Sequence, residues 1–195
     1  MKLSGLKALA GFFLAAILSA PAWAATPPLP GALNYVEGQV SIGDQPLDNH
    51  SVGTVDLKAG QSIATVNGKA EVLLTPGVFL RLGNDSEAQM VSPSLTDTEV
   101  AINKGRATVE VADLHKQNLL LVDQGATKTR LAKKGLYAFD ANEGQIMVFK
   151  GEAEVDDNSA RVKVKEGHLF DLAQAESQAQ GRKLKTTKFD AKEYE

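Results

Sequence analysis

Apolar and polar residues alternate in short runs along most of this 195-residue chain, and this alternation constrains its fold more than any other feature. Val100 and Ile102 alternate with polar residues before Gly105, and Val109 continues the alternation after it. A period of two places every second side chain on one face of a strand, whereas an amphipathic helix repeats every 3.6 residues. The pattern runs from residue 32 to residue 172, so we predict one all-β domain over this range.

A second regularity surrounds five glycines, which are Gly38, Gly68, Gly105, Gly151 and Gly167. Apolar residues stand five and three positions before each glycine and two and four positions after it, except for Thr65 and Asp171. Glycine adopts left-handed turn conformations without a Cβ clash, so the pattern predicts a strand, a glycine turn and a second strand. Asn67-Gly68 is in addition a typical hairpin dipeptide.

The predicted architecture is therefore a series of consecutive antiparallel hairpins forming a β-sandwich or β-roll. The five glycines are spaced by 30, 37, 46 and 16 residues, which is too irregular for a solenoid or propeller. Leu119 to Val122 and Leu136 to Phe139 are apolar at every position. Such runs are typical of strands that are covered on both faces.

The first 24 residues have the features of a secretory signal peptide. Lys2 and Lys7 precede an apolar core of 13 residues, Ala8 to Ala20, and Ala22-Trp23-Ala24 supplies the small-x-small cleavage pattern. The core is shorter than the roughly 20 apolar residues that cross a bilayer. We predict cleavage after Ala24 and a periplasmic or other extracytoplasmic location, with a retained membrane anchor as the alternative.

Two segments flank the predicted domain. Residues 25–31 contain three prolines and are expected to form an extended linker. Residues 173–195 are mostly polar and charged, with a short helix conceivable at their start, and we predict a weakly ordered or loosely docked tail. The chain ends inside a charged run, which a truncated reading frame would explain.

Composition excludes several classes of function. The chain has no cysteine, so disulfide scaffolds, thiolate catalysis and thiolate metal sites are excluded. Removal of residues 1–24, which carry two lysines and no acid, would change the net charge from −3 to −5. Nucleic-acid binding requires a basic face, so an acidic domain is not expected to have nucleic acid as a partner.

We predict no catalytic residue, metal ligand or cofactor. The histidines, His50, His115 and His168, are not at ligand spacing and are interpreted as surface or turn residues. The acidic turns at 83–86 and 156–159 lack the spaced carboxylates and closing glutamate of a calcium loop. The glutamates of alternating runs are expected to lie on solvated strand faces, and these are Glu71, Glu110, Glu152 and Glu154.

Between about Tyr35 and Leu172, several short motifs occur in an order that resembles the FecR-type periplasmic domain of bacteria. The motifs are Gly77 to Asn84 (GVFLRLGN) with Ser86-Glu87, Leu95 to Thr98 (LTDT), Asn103 to Val111 (NKGRATVEV), Arg130 to Tyr137 (RLAKKGLY), Phe139-Asp140 and Val148 to Val155 (VFKGEAEV). The resemblance implies an all-β envelope domain that, in signalling members, senses an outer-membrane transporter. Those members carry a cytoplasmic anti-sigma region, whereas only Met1 to Lys7 precede the apolar core here.

Three functions follow as hypotheses. The first is an exported, non-enzymatic interaction or scaffold module whose partner is another envelope protein or a glycan. The second is a periplasmic sensor module that regulates transport-linked gene expression through a separate membrane partner. The third is a cell-wall or glycan-active enzyme. An exposed apolar patch or open strand edge would favour a protein partner, whereas a cleft with two carboxylates about 5–10 Å apart would favour glycoside chemistry.

Overall fold

The computed structural model describes residues 29–156, 161–173 and 185–194, which form fifteen β-strands and a short 3-10 helix. The predicted all-β fold is therefore confirmed. The predicted signal peptide and most of the predicted linker lie outside the described residues. Within these described ranges, no helix is long and apolar enough to cross a bilayer.

The strands belong to one sheet. In chain order they are β1 (Ala32–Ile42), β2 (Gln45–Leu47), β3 (Ser62–Thr75), β4 (Val78–Leu82), β5 (Ser86–Pro93), β6 (Asp97–Lys104), β7 (Arg106–Val111), β8 (Leu119–Gln124), β9 (Thr127–Leu131), β10 (Gly135–Asp140), β11 (Gln145–Lys150), β12 (Glu152–Asp156), β13 (Arg161–Lys165), β14 (His168–Asp171) and β15 (Thr187–Lys188). The 3-10 helix is Ala191–Tyr194.

Strand β3 is the centre of the sheet because it is long enough to pair with three other strands. One edge of its 14 residues pairs with β1, and the other edge is divided between β5 and β4. From β3 the sheet extends in two directions, here called arm A and arm B. Arm A runs through β5, β6, β8, β9, β12 and β13, and arm B runs through β4, β7, β10, β11, β14 and β15.

Hairpin pairing of consecutive strands is present within both arms, as predicted. The antiparallel pairs are β1–β2, β3–β4, β5–β6, β8–β9, β10–β11 and β12–β13. Strand β8 instead joins β6 in a parallel pair, because the intervening β7 belongs to arm B. The chain thus forms a hairpin in one arm and then crosses to the other.

None of the five patterned glycines lies at the turn of one of these hairpins, so their predicted role needs correction. Gly105, Gly151 and Gly167 lie where the chain crosses between the arms, from β6 to β7, from β11 to β12 and from β13 to β14. The strands on either side of each glycine pair with other neighbours and not with each other. The local pattern of strand, glycine and strand is the same in a hairpin and in such a crossing, so the sequence pattern could not distinguish them.

Gly38 and Gly68 lie inside β1 and β3, directly opposite each other in the strand register. Gly68 separates the part of β3 that pairs with β5 from the part that pairs with β4. A Cβ atom on Gly68 would lie 2.4 Å from the carbonyl oxygen of Glu37. The hairpin predicted from Asn67-Gly68 is therefore wrong, and the glycine instead permits close approach of two backbones at a bend.

Polar groups hold the crossing at Gly105. Its φ angle is +69°, and its N–H donates to the side-chain oxygen of Asn142 at 3.0 Å. The next N–H, of Arg106, donates to the hydroxyl of Ser86 at 2.9 Å. Thr65, a departure from the glycine pattern, accepts a hydrogen bond from the Ser86 N–H and donates to the Gly83 carbonyl. Its hydroxyl therefore satisfies the backbone of the neighbouring crossing from β4 to β5.

The inner faces of both arms contribute to a single apolar core, so the sheet is curled on itself. Leu120 and Val122 of arm A belong to the same buried cluster as Ile146 and Val148 of arm B. The alternation that predicted strands is reproduced in the burial of β8, where every second side chain is buried, and of β10 from Leu136 to Phe139, where Tyr137 and Phe139 are buried. Their remaining apolar side chains are only half-buried, so the prediction of full cover on both faces is wrong for these strands.

Part of the predicted tail docks onto arm B. Thr187 and Lys188 form β15 against His168 and Leu169 of β14. The N–H of Phe189 donates to the Gly167 carbonyl at 3.1 Å. This described segment, residues 185–194, is therefore attached to the edge of the sheet.

Candidate interaction surface

The two outer faces of the curled sheet differ in chemistry. The outer face of arm A, here called the charged face, carries acids and bases on neighbouring strands, and these are Glu99, Asp123, Lys128, Arg130, Glu152, Glu154, Asp156, Arg161 and Lys163. Arg130 and Lys163 both contact Glu154, at 3.4 Å each, and Arg161 contacts Asp156 at 2.8 Å. Because the bases of β9 and β13 contact acids on neighbouring strands, most of the charge on this face is paired.

Two largely buried acids of the charged face share one lysine. The ammonium group of Lys128 contacts Glu99 and lies 3.0 Å from Asp123 Oδ2, and both acidic side chains are 16% exposed. Asp123 Oδ1 is buried and has no hydrogen-bond partner. Burial and, next, the hydrogen bond with Glu99 raise the pKa of Asp123 to about 6. Asp123 therefore takes up a proton at a higher pH than an ordinary aspartate does.

The outer face of arm B instead contains an apolar groove. Leu136 and Ala138 of β10 and Met147 and Phe149 of β11 line a depression of about 390 Å³. A second depression of about 450 Å³ begins at Leu136 and extends over β7 toward Arg81. These apolar side chains are at the outward positions of their strands, since the alternate residues Tyr137, Phe139 and Val148 are in the core. We call the two depressions together the apolar groove.

The rim of the apolar groove is polar and held in place by ion pairs. Arg81 contacts Glu71 at 2.5 Å and Glu110 at 2.6 Å. Lys134 contacts Asp113 at 2.7 Å. Lys150 also lines the groove and is exposed. An apolar floor within a polar rim is the usual arrangement of a protein-binding patch.

At the other end of the rim, Asp140 is an organising residue to which the sequence alone assigned no role. Its carboxylate is 3% exposed and lies 2.5 Å from Arg106 Nε. It also accepts the N–H groups of Asn142 and Glu143, at 3.0 Å each. An aspartate directly before a turn commonly caps the turn in this way, which is the signal that could have identified it.

The C-terminal segment forms one wall of the groove. The rings of Phe149 and Phe189 meet edge to face, with centroids 5.0 Å apart and planes at 75°. Ala191 lines the same depression as Met147 and Phe149. Residues from the chain's own tail therefore cover one side of the apolar surface, while Leu136 and Ala138 remain half-buried.

The structure separates the three histidines. His50 is 96% exposed beside Asp48, His115 is exposed in a turn, and His168 lies on β14 with Nδ1 2.9 Å from the carbonyl oxygen of Glu166. In the described part of the chain, no group of three or more histidine or acidic side chains could hold a metal ion.

The other acidic candidates are held by basic side chains. In the turns considered for calcium, Asp85 contacts Lys104 at 2.5 Å and Asp156 contacts Arg161, while residues 157–159 lie outside the described residues. The four strand glutamates are at outward positions, as expected. Glu71 and Glu152 are less solvated than expected, at 15% and 16% exposed beside a cation each, whereas Glu110 is 44% exposed.

Comparison with known proteins gives a structural likeness but no sequence match. No protein-family model matches the chain, and no curated protein matches it in sequence. Two crystal structures of a candidate anti-sigma factor from Parabacteroides distasonis superimpose with a TM-score of 0.54 at 13% identity. The match covers 68% of this chain and 62% of that chain, which is less than two thirds of the neighbour's length. This chain is therefore similar in fold to that protein over about two thirds of its own length.

Proposed function

We propose that this chain is an exported, non-enzymatic interaction module of the FecR-like type, which binds another envelope protein through the apolar groove. The observation that carries this proposal is the apolar groove itself. Half-buried Leu136, Ala138 and Phe149 form a continuous apolar surface on the outer side of a sheet. Surfaces of this kind mark interaction sites when a polar rim surrounds them.

The structural likeness supports a regulatory role for this interaction. The similar protein from Parabacteroides distasonis is described as a candidate anti-sigma factor, and the FecR-type resemblance implies a periplasmic sensor. The sensor hypothesis is thus a specific form of the interaction hypothesis, with the groove as the contact to a separate membrane partner. We expect the same surface to serve in either case.

The charged face supports the non-enzymatic proposal over a glycan-active enzyme. Glu99 and Asp123 both contact the ammonium group of Lys128. Glycosidases hold their two carboxyl groups at least about 5 Å apart so that the sugar lies between them. The Lys128 ammonium group lies between these two carboxylates, so no sugar can lie there.

Site-specific photocross-linking in intact cells tests the proposal. Ala138, in the apolar groove, and Ala101, on the charged face, are both half-buried residues within strands. A photoreactive residue at position 138 should give a discrete cross-linked product with one envelope protein, whereas position 101 should not. No product at position 138, or the same products at both positions, would contradict the proposal.

Substitution of ionisable residues provides a second, independent test. We expect single alanine substitutions of His50, His115 and His168, and of Glu152 and Glu154 on the charged face, to preserve complementation of a deletion phenotype. Leu136→Asp, in the groove, should abolish complementation while leaving the far-ultraviolet circular dichroism spectrum unchanged. Loss of function from one folded histidine or glutamate variant would instead favour the enzyme hypothesis.

A further inference from the structure

We propose that the edge of β14, together with Phe149, is a strand-addition site for an extended peptide segment that carries an aromatic residue. In the free protein, the chain's own segment 185–194 occupies this site. The inference rests on the proposed function, because it specifies which kind of partner segment the apolar groove receives and how that segment binds.

The docked segment shows the mode of binding directly. Its backbone extends the sheet, since Thr187 lies opposite Leu169 and Lys188 lies opposite His168. Two positions after Thr187, the ring of Phe189 packs edge to face on Phe149. Alternate residues of a strand face the same side, so a segment in this register directs Thr187 and Phe189 toward the same face of the sheet. Backbone pairing with a pocket for an alternate side chain is the usual mode of strand addition.

The backbone pairing between the tail and β14 is short compared with the length of the β14 strand. Strand β14 pairs with β11 over four residues, from Gln145–Asp171 to Val148–His168, but pairs with β15 over only two. Both residues of β15 are exposed. An edge strand held by two residue pairs, the hydrogen bond from the Phe189 N–H to Gly167 and an aromatic contact can be exchanged for a longer segment that offers the same contacts and more.

The surface beyond the tail indicates what that longer segment contains. Ala191 stands where the segment enters the groove, beside Met147 and Phe149. Leu136 lies farther along the floor, where the two depressions meet. A partner segment with an aromatic residue at the position of Phe189 and a larger apolar residue at the position of Ala191 would fill more of the groove than the tail does.

The opposite end of the sheet lacks these properties. The terminal strand of arm A, β13, carries Arg161, Lys163 and Lys165 and pairs with the acidic residues of β12. Lysines on an edge strand oppose the addition of a further strand. The terminal strand covered by the tail, β14, instead carries the half-buried Leu169 opposite Thr187. Strand addition is therefore expected at β14 and not at β13.

The test uses the full chain and a fluorescent synthetic peptide with the sequence of residues 185–194. In wild type the tethered tail competes at a high effective concentration, on the order of millimolar for a short linker. Phe189→Ala should weaken that competition, so we expect this variant to bind the peptide at least tenfold more tightly than wild type does. The same peptide with alanine in place of its phenylalanine is the matched control and should not bind.

An engineered disulfide that fixes the tail to β14, and that can be reduced again, gives the decisive comparison. The chain has no cysteine, so Leu169→Cys with Thr187→Cys places two cysteines at directly opposed positions. Opposed residues of an antiparallel pair lie about 4.5–5.5 Å apart between Cα atoms, which a disulfide spans. Oxidation should abolish peptide binding, and reduction should return it to the wild-type level. Equal binding by the oxidised and reduced forms would overturn the proposal.

A second variant that loosens the tail from β14 tests the proposal without changing the aromatic ring of Phe189. Thr187→Pro removes a backbone donor from β15, and this variant should also bind the peptide more tightly than wild type does. If Phe189→Ala and Thr187→Pro both fold but neither binds the peptide, strand addition at β14 would be overturned. A cross-link at position 138 would then still support the proposed function, whereas peptide binding without any cross-link would support the site and contradict the envelope partner.

Discussion

Gly105 provides the most direct test of how the chain crosses between the two arms. A Cβ atom there would lie 2.3 Å from the Asp85 carbonyl oxygen and 2.8 Å from Ser86 Cα, so backbone atoms would have to move. Left-handed strain costs about 1–2 kcal/mol for an alanine. Displacement of Ser86 would also weaken its hydrogen bond with the Arg106 N–H, at a cost of about 0.5–1.5 kcal/mol. With the steric overlap, we expect Gly105→Ala to lower the unfolding free energy by about 3 kcal/mol.

Gly125 is the matched control because it has a similar φ of +59°, but no atom lies within 4 Å of the place that a Cβ atom would take. Gly125→Ala should therefore show only the conformational strain, about 1 kcal/mol. Urea denaturation, followed by circular dichroism, measures both values. Equal losses for the two variants would refute the argument that the crossing requires close backbone approach, because only the left-handed conformation is common to both positions.

Four further predictions concern buried polar groups and export. Thr65→Val should cost about 1–3 kcal/mol because the Gly83 carbonyl and Ser86 N–H lose their partner. Thr129→Val should be neutral or stabilising because that buried hydroxyl has no hydrogen-bond partner; equal losses in thermal denaturation would contradict both assignments. Burial and the Glu99 hydrogen bond raise the pKa of Asp123 to about 6, so this group stabilises the fold as the pH falls through 6 toward the ordinary value of 3.8. Asp123→Asn should lose that gain, and an unchanged pH profile of the unfolding free energy would exclude it. Amino-terminal sequencing of the periplasmic protein should begin at Ala25, whereas intact protein in the membrane fraction would indicate an anchor.

Strand positions were predictable from sequence, but the partners of each strand were not. Alternation around Gly105 correctly indicated buried Val100, Ile102 and Val109, because a period of two depends only on which side of one strand faces the core. The same alternation is compatible with a hairpin or with a crossing between arms. The choice depends on contacts such as the approach of Asp85 and Ser86 to Gly105, which are distant in sequence from the pattern.

The candidate surface was predictable only in part. The apolar outward residues of β8 and β10 were visible as continuous apolar runs, and burial on both faces was the reasonable expectation. The structure instead leaves Leu136 and Ala138 half-buried in a groove. Nothing in the run itself indicates whether another layer covers a strand, because cover depends on where the remaining chain packs.

The sequence by itself determined that this chain folds as β-strands with one apolar face each, and that particular glycines interrupt them. Both are local properties, set by side-chain alternation and by the absence of a Cβ atom. Only the tertiary structure decided that the glycines mark crossings and close approaches, that Glu99 and Asp123 meet on Lys128, and that Phe189 packs on Phe149. These features join residues far apart in the chain, so they arise from strand order and register, which local periodicity does not specify.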